Sequence, residues 1–200
     1  HPGYDNQPSF LTDGSAILHT SARSDGQMDI MKVDLASGES SNMTQTPESE
    51  YSPTQTPDGA HFSVIRVELD TTKLVQRLWQ FPLGDGSPSL VLESVNPVGY
   101  HAWGSDDELA IFVLGTPNTD EPMTLQVAKR STDSAERIEE NIGRSIHKIP
   151  GEDAYSFVHK RGENDWVINR LDRATREISE LGKTLEKSED YAWLPDGRIV

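Results

Sequence analysis

Short runs of alternating apolar and polar residues, each broken by turn chemistry, fill the chain from end to end, which is how β-strands read. Ala16 to Thr20 is one such run, and Asp29 to Leu35 is another that sets Met31, Val33 and Leu35 on a single face. Trp79, Phe81 and Leu83 stand in the corresponding places further along. No segment sustains an apolar stripe of helical period, although Ser134 to Ile142 fits either period, so helix is expected to be scarce.

The strand pattern is itself periodic. Asp13-Gly14, Asp58-Gly59, Asp106-Asp107, Glu152-Asp153 and Asp196-Gly197 hold matching turn positions, at intervals of 45, 48, 46 and 44 residues. A second turn, Asp34-Leu35-Ala36-Ser37-Gly38-Glu39, returns as Asp172-Arg173-Ala174-Thr175-Arg176-Glu177. Four strands in roughly 40–50 residues, repeated, predict an all-β β-propeller of four-stranded antiparallel blades, because one such sheet cannot bury both faces without stacking on its neighbours. Four complete blades and the start of a fifth are expected, over 4–50, 51–98, 99–144, 145–190 and 191–200.

The run Pro8-Ser9-Phe10-Leu11-Thr12-Asp13-Gly14, its apolar continuation Ala16 to Leu18, and Ser24-Asp25-Gly26-Gln27-Met28-Asp29-Ile30 together resemble the WD-like repeat of the TolB-type β-propellers. The resemblance extends over essentially the whole chain and weakens in the third and fourth copies, where Asp107 or Asp153 stands in place of the turn glycine. It implies a ring of six blades, of which this chain is the first part, about 80–100 residues short at one period per blade. A closed four-bladed ring is the alternative. It also implies a periplasmic or secreted protein that binds a protein or peptide partner, with the propellers of prolyl oligopeptidase-type peptidases and of some polysaccharide lyases as further relatives.

Composition narrows the class of function. Acidic residues number 33 against 18 Lys and Arg, and a net charge of −15 repels nucleic acid and anionic lipid alike. There is no cysteine, which removes disulfides, thiolate metal sites and a cysteine nucleophile. No apolar run reaches the roughly 18 residues of a membrane-spanning helix, so membrane insertion is not expected. The opening His1-Pro2-Gly3 reads as either a processed end or an expression boundary. Self-association is expected through the apolar edge that an unfinished fifth copy leaves beside Tyr191 to Val200.

No nucleophile elbow, His-Glu-x-x-His helix, phosphate loop or dinucleotide fingerprint is present, and no residue is assigned to catalysis. Aligning the inner strands on their turns sets His101, His147 and Tyr191 at one blade position, with Tyr100 beside them; these four are the candidate channel and ligand-binding residues. No cofactor is predicted. The competing expectation is that His101 and His147 meet on adjacent blades and hold a divalent metal for a carbohydrate lyase or hydrolase. Ser24 to Asp29 lacks the ligand alternation of a calcium loop, and Asp13, Asp58 and Asp196 read as turn residues. Phe10, Trp103 and Trp193 recur at one position and read as packing between blades. The leading expectation is a non-catalytic binding module, with a metal-dependent lyase and the gate propeller of a peptidase as alternatives.

Overall fold

The computed structural model describes residues 3–200, and they form strands joined by turns, with a single 3-10 turn at Arg130–Thr132. The stretch that fits either period, Ser134 to Ile142, extends: alternation wins over the helical pattern because Ser134–Glu140 has a neighbouring strand to pair with. Four antiparallel four-stranded sheets follow one another along the chain. Blade 1 contains β1 (Asp5–Phe10), β2 (Ala16–Ala22), β3 (Met28–Asp34) and β4 (Ser40–Asn42). Blade 2 contains β5 (Ser49–Gln55), β6 (His61–Asp70), β7 (Lys73–Pro82) and β8 (Ser89–Leu90). Blade 3 contains β9 (Val98–Trp103), β10 (Glu108–Val113), β11 (Thr124–Lys129) and β12 (Ser134–Glu140). Blade 4 contains β13 (Ile142–Lys148), β14 (Ala154–Gly162), β15 (Asp165–Asp172) and β16 (Ile178–Lys183). This is β-propeller architecture, each blade a meander in sequence order.

The chain divides into two compact units, one ending at Pro97 and the other running from Val98 to Val200. In the first, period-two alternation sends Ala16, Leu18 and Ile30 of blade 1 onto Phe62, Val64 and Phe81 of blade 2, and all six are buried. The bulges of β1 and β5 fall at Gln7 and Ser52, both at positive φ, and the Gln7 side-chain oxygen accepts the Ser52 N–H at 2.9 Å, tying one bulge to the next. In the second unit, Ala110, Phe112, Leu125 and Val127 of blade 3 pack on Ile146, Tyr155, Phe157 and Leu171 of blade 4. Gly104 is required at that junction, since a Cβ there would stand 2.1 Å from the Tyr155 hydroxyl oxygen.

The acidic turn residues are structural. Asp13 accepts the Ser15 N–H at 2.9 Å and its hydroxyl at 2.7 Å, and Asp58 accepts the Ala60 N–H at 2.8 Å and the Thr56 hydroxyl at 2.6 Å. After β16 the chain forms a further hairpin in which Trp193 pairs with Ile199 around Leu194-Pro195-Asp196-Gly197, repeating the same turn.

Candidate functional site

All four candidate residues lie in the second unit. Tyr100, on β9, packs edge-on against Phe112 with centroids 5.8 Å apart, as part of the apolar core. His101, next along β9, points to the opposite face, is buried, and meets the Trp103 ring edge-on at 6.4 Å. Burial pushes its imidazole down to about 4, so it is neutral at pH 7. His147 is half-buried on β13, with its ring 4.7 Å from that of Tyr191 and tilted by 69°.

The two histidines were expected to share one blade position, and the strand ladders place them one residue out of step. His101 lies two residues before the last β9 pair, Trp103 with Leu109, whereas His147 lies one residue before the last β13 pair, Lys148 with Tyr155. The residue matching His101 is therefore Ile146, which is buried in the core between blades 3 and 4. The slip originates in the turn. Glu152 donates its N–H to the Ile149 carbonyl, as Gly14 does to Leu11, so Glu152 takes the place of the turn glycine and not of the aspartate. Its carboxylate does not cap the turn but meets Arg170 Nε at 2.7 Å. With side chains alternating every residue, a slip of one reverses the face, and His101 and His147 project from opposite blade faces.

What gathers around His147 is aromatic. Its cross-strand partner Ser156 is buried, and the Ser156 Oγ accepts both the Tyr191 hydroxyl and the Trp193 indole N–H, each at 2.8 Å. The segment that delivers these two rings is clamped by charge. Glu189 accepts the Arg144 N–H at 3.1 Å and the Lys160 ammonium at 2.8 Å, and Asp190 accepts the Arg144 guanidinium at 2.9 Å. Gly143 gives Glu189 room, since a Cβ there would lie 2.6 Å from its carboxylate. Burial lowers the His147 imidazole, against a hydrogen bond to the Tyr191 main chain and the nearby Asp190 carboxylate, which act in the other direction. Burial raises the Tyr191 phenol, so it remains a neutral donor.

No family model matches the sequence, and no curated protein matches it. Solved structures do match the fold. The TolB of Acinetobacter baumannii superposes with a TM-score of 0.72 at 17% identity, over 92% of this chain and 44% of that one. The chain has the TolB-type β-propeller fold. The acylaminoacyl peptidase of Pyrococcus horikoshii matches at a TM-score of 0.65 and 11% identity over 98% of this chain and 34% of its own. The oligogalacturonate lyase of Vibrio parahaemolyticus gives 0.59 and 15% over 98% and 69%. The chain thus spans less than half the length of the TolB it matches.

On this TolB-type scaffold the site can present aromatic faces while holding their polar ends fixed. Among the described residues, no group of three or more His, Cys, Asp or Glu is gathered as metal ligands would be. No helix of the structure is long and apolar enough to cross a membrane. Ser156 and Arg144 were not singled out from the sequence, since a lone serine and a lone arginine on strands carry no motif. The recurrence of the aromatic at Trp193 was a signal, but it pointed to packing only.

Proposed function

We propose that the chain is a non-catalytic binding module of TolB type that recognises a protein or peptide in the periplasm or at the cell surface, with the His147, Tyr191 and Trp193 assembly as part of its contact surface. The observation that carries this reading is the state of Ser156. A hydroxyl has one proton and two lone pairs, and here Tyr191 and Trp193 both donate to its oxygen. A serine held in this way is a fixed acceptor rather than a nucleophile, even with a histidine as its strand partner. The His147 Nε2 is enclosed and has no hydrogen-bonding partner among the described residues, so no base is aligned on that oxygen. The rings of Tyr191 and Trp193, fixed at their polar ends, suit contact with apolar and planar groups of a partner at little entropic cost.

The test is a photo-crosslinking residue in place of Tyr191, exposed to a bacterial envelope extract, alongside turnover assays with peptide and polysaccharide substrates. One reproducible protein adduct, competed by unlabelled chain, is expected. Measured turnover on any substrate, with no adduct formed, overturns the reading.

A further inference from the structure

Blade 2 differs from the other three in its outer edge. β6 and β7 pair along their whole length, from His61 with Pro82 to Asp70 with Lys73. Their outer neighbour β8 pairs with β7 only at Trp79 and Gln80, and one more bond, from the Val91 N–H to the Leu78 carbonyl at 2.9 Å, ends the cover. Beyond it Val91 and the next residue, Leu92, are both buried, so the chain has left the pleat. Lys73–Arg77 therefore has no strand on its outer side among the described residues. Backbone groups alternate along a strand, and the Leu78 carbonyl faces this edge, so Gln76 and Leu74 turn their N–H and C=O the same way.

The other blades close this edge. In blade 3, β12 pairs with β11 from Thr124 to Lys129, and in blade 4, β16 pairs with β15 from Val167 to Leu171. In blade 1, β4 is also short, but side chains finish its work: Ile30 N–H donates to the Thr44 hydroxyl at 3.0 Å and Met28 N–H to the Ser49 hydroxyl at 3.2 Å. Blade 2 also exposes the cross-strand pair Leu69 and Leu74, at 69% and 74%. Arg77 is held over the sheet by Glu68 at 2.9 Å and Asp70 at 3.0 Å, which draws its charge away from the edge.

We infer that the Lys73–Arg77 edge of β7 takes an extended segment of a partner protein as an added strand. Unpaired N–H and C=O groups at strand spacing are complementary to an extended backbone and to little else. The exposed Leu69 and Leu74 call for apolar residues at alternate positions of that segment. The net charge of −15 favours a partner of net positive charge. This edge belongs to the first unit and the aromatic assembly to the second, and the inference does not rest on that assembly.

The probe is a synthetic peptide of about ten residues alternating Val and Lys, beside a control of equal charge with Pro in place of each Val. Saturable binding of the first peptide is expected, with the Leu74 and Gln76 amides gaining protection from hydrogen exchange. Gln76→Pro removes an N–H that faces outward and leaves the bonds to β6 in place, so it is expected to weaken binding about tenfold. If that variant does not fold, Leu74→Lys replaces it, removing the apolar contact and repelling the peptide, with a several-fold loss expected. Equal binding of the Pro control, protection away from Leu74 and Gln76, or affinity untouched by the folded variant overturns the inference. So does protection of these amides in the free chain together with a dimeric mass, which would make a second copy the occupant.

Discussion

The two units hold their most enclosed carboxylate–arginine pairs in opposite ways, one inside a blade and one across two blades. In the first unit, Glu50 of β5 and Arg66 of β6 form a cross-strand ion pair within blade 2 at 3.1 Å that is buried on both sides, with the guanidinium 4.3 Å from the Trp79 ring centre and Thr46 donating to the carboxylate. Burial raises the Glu50 carboxyl above its ordinary value, despite Thr46 and Arg66. Asp29, also buried, stands beside it and is held by Arg23 at 3.2 Å. Between blades 3 and 4, Glu108 lies nearer the surface and accepts both Arg173 at 2.9 Å and Arg176 at 2.8 Å. Burial acts to raise it, but Arg176 and Arg173 together hold it below its ordinary value. One carboxylate loses more from lost hydration than one cation returns; the other keeps some water and has two cations.

The sharpest way to break this contrast is to remove one partner from each pair. Glu50→Ala leaves Arg66 charged and enclosed, and is expected to destabilise the first unit by about 3–5 kcal/mol in urea unfolding. A loss below that of the Glu108 substitution described below would mean that Arg66 finds water, and that the pair's surroundings are not dry.

Acid should separate the units next. His101 is held at about 4 and His147 is also lowered, so each takes a proton more readily when unfolded than when folded. Their contribution is complete above the ordinary value of 6.5 and is lost as pH falls from there toward 4, up to about 3 kcal/mol for His101. Glu50 has the opposite sign: its raised value means that the folded chain gains relative to the unfolded one as pH falls toward 4.5. Native-state hydrogen exchange between pH 7 and 4.5, corrected for intrinsic rates, should show Ile111 and Val158 losing protection before Ile30 and Val64. The reverse order would contradict the lowering of both imidazoles in the folded chain.

Gly104→Ala drives a methyl group into the Tyr155 hydroxyl, whose ring is fully buried, and an effect of about 2 kcal/mol on the second unit is expected. Tyrosine fluorescence or near-ultraviolet dichroism would register the displaced ring along with the lower urea midpoint. The smallest effect belongs to Glu108→Gln, about 1 kcal/mol, because Arg173 and Arg176 retain access to solvent and to Asp153 and Glu136. Its signature is a stability difference from the parent chain that disappears on acidification, since the lowered carboxyl contributes above its ordinary value and loses that contribution as pH falls.

Readable from the sequence alone were those features that a period of two and a recurrent turn encode locally. Met31, Val33 and their counterparts Trp79 and Phe81 lie on matching strands because alternation needs no knowledge of the neighbour. Asp13 and Asp58 cap their turns through bonds to residues two positions on, which is again local. The tertiary structure decided the rest. Whether Glu152 or Gly151 matches the turn aspartate depends on which amide closes the hairpin, and that single residue moves His147 to the far face from His101. The partners of Ser156 come from residues 35 and 37 positions away, and the bare edge of β7 exists because Val91 and Leu92 bury themselves instead of continuing β8. Each of these is a choice between long-range contacts of similar local propensity, and only the packed chain determines which of them forms.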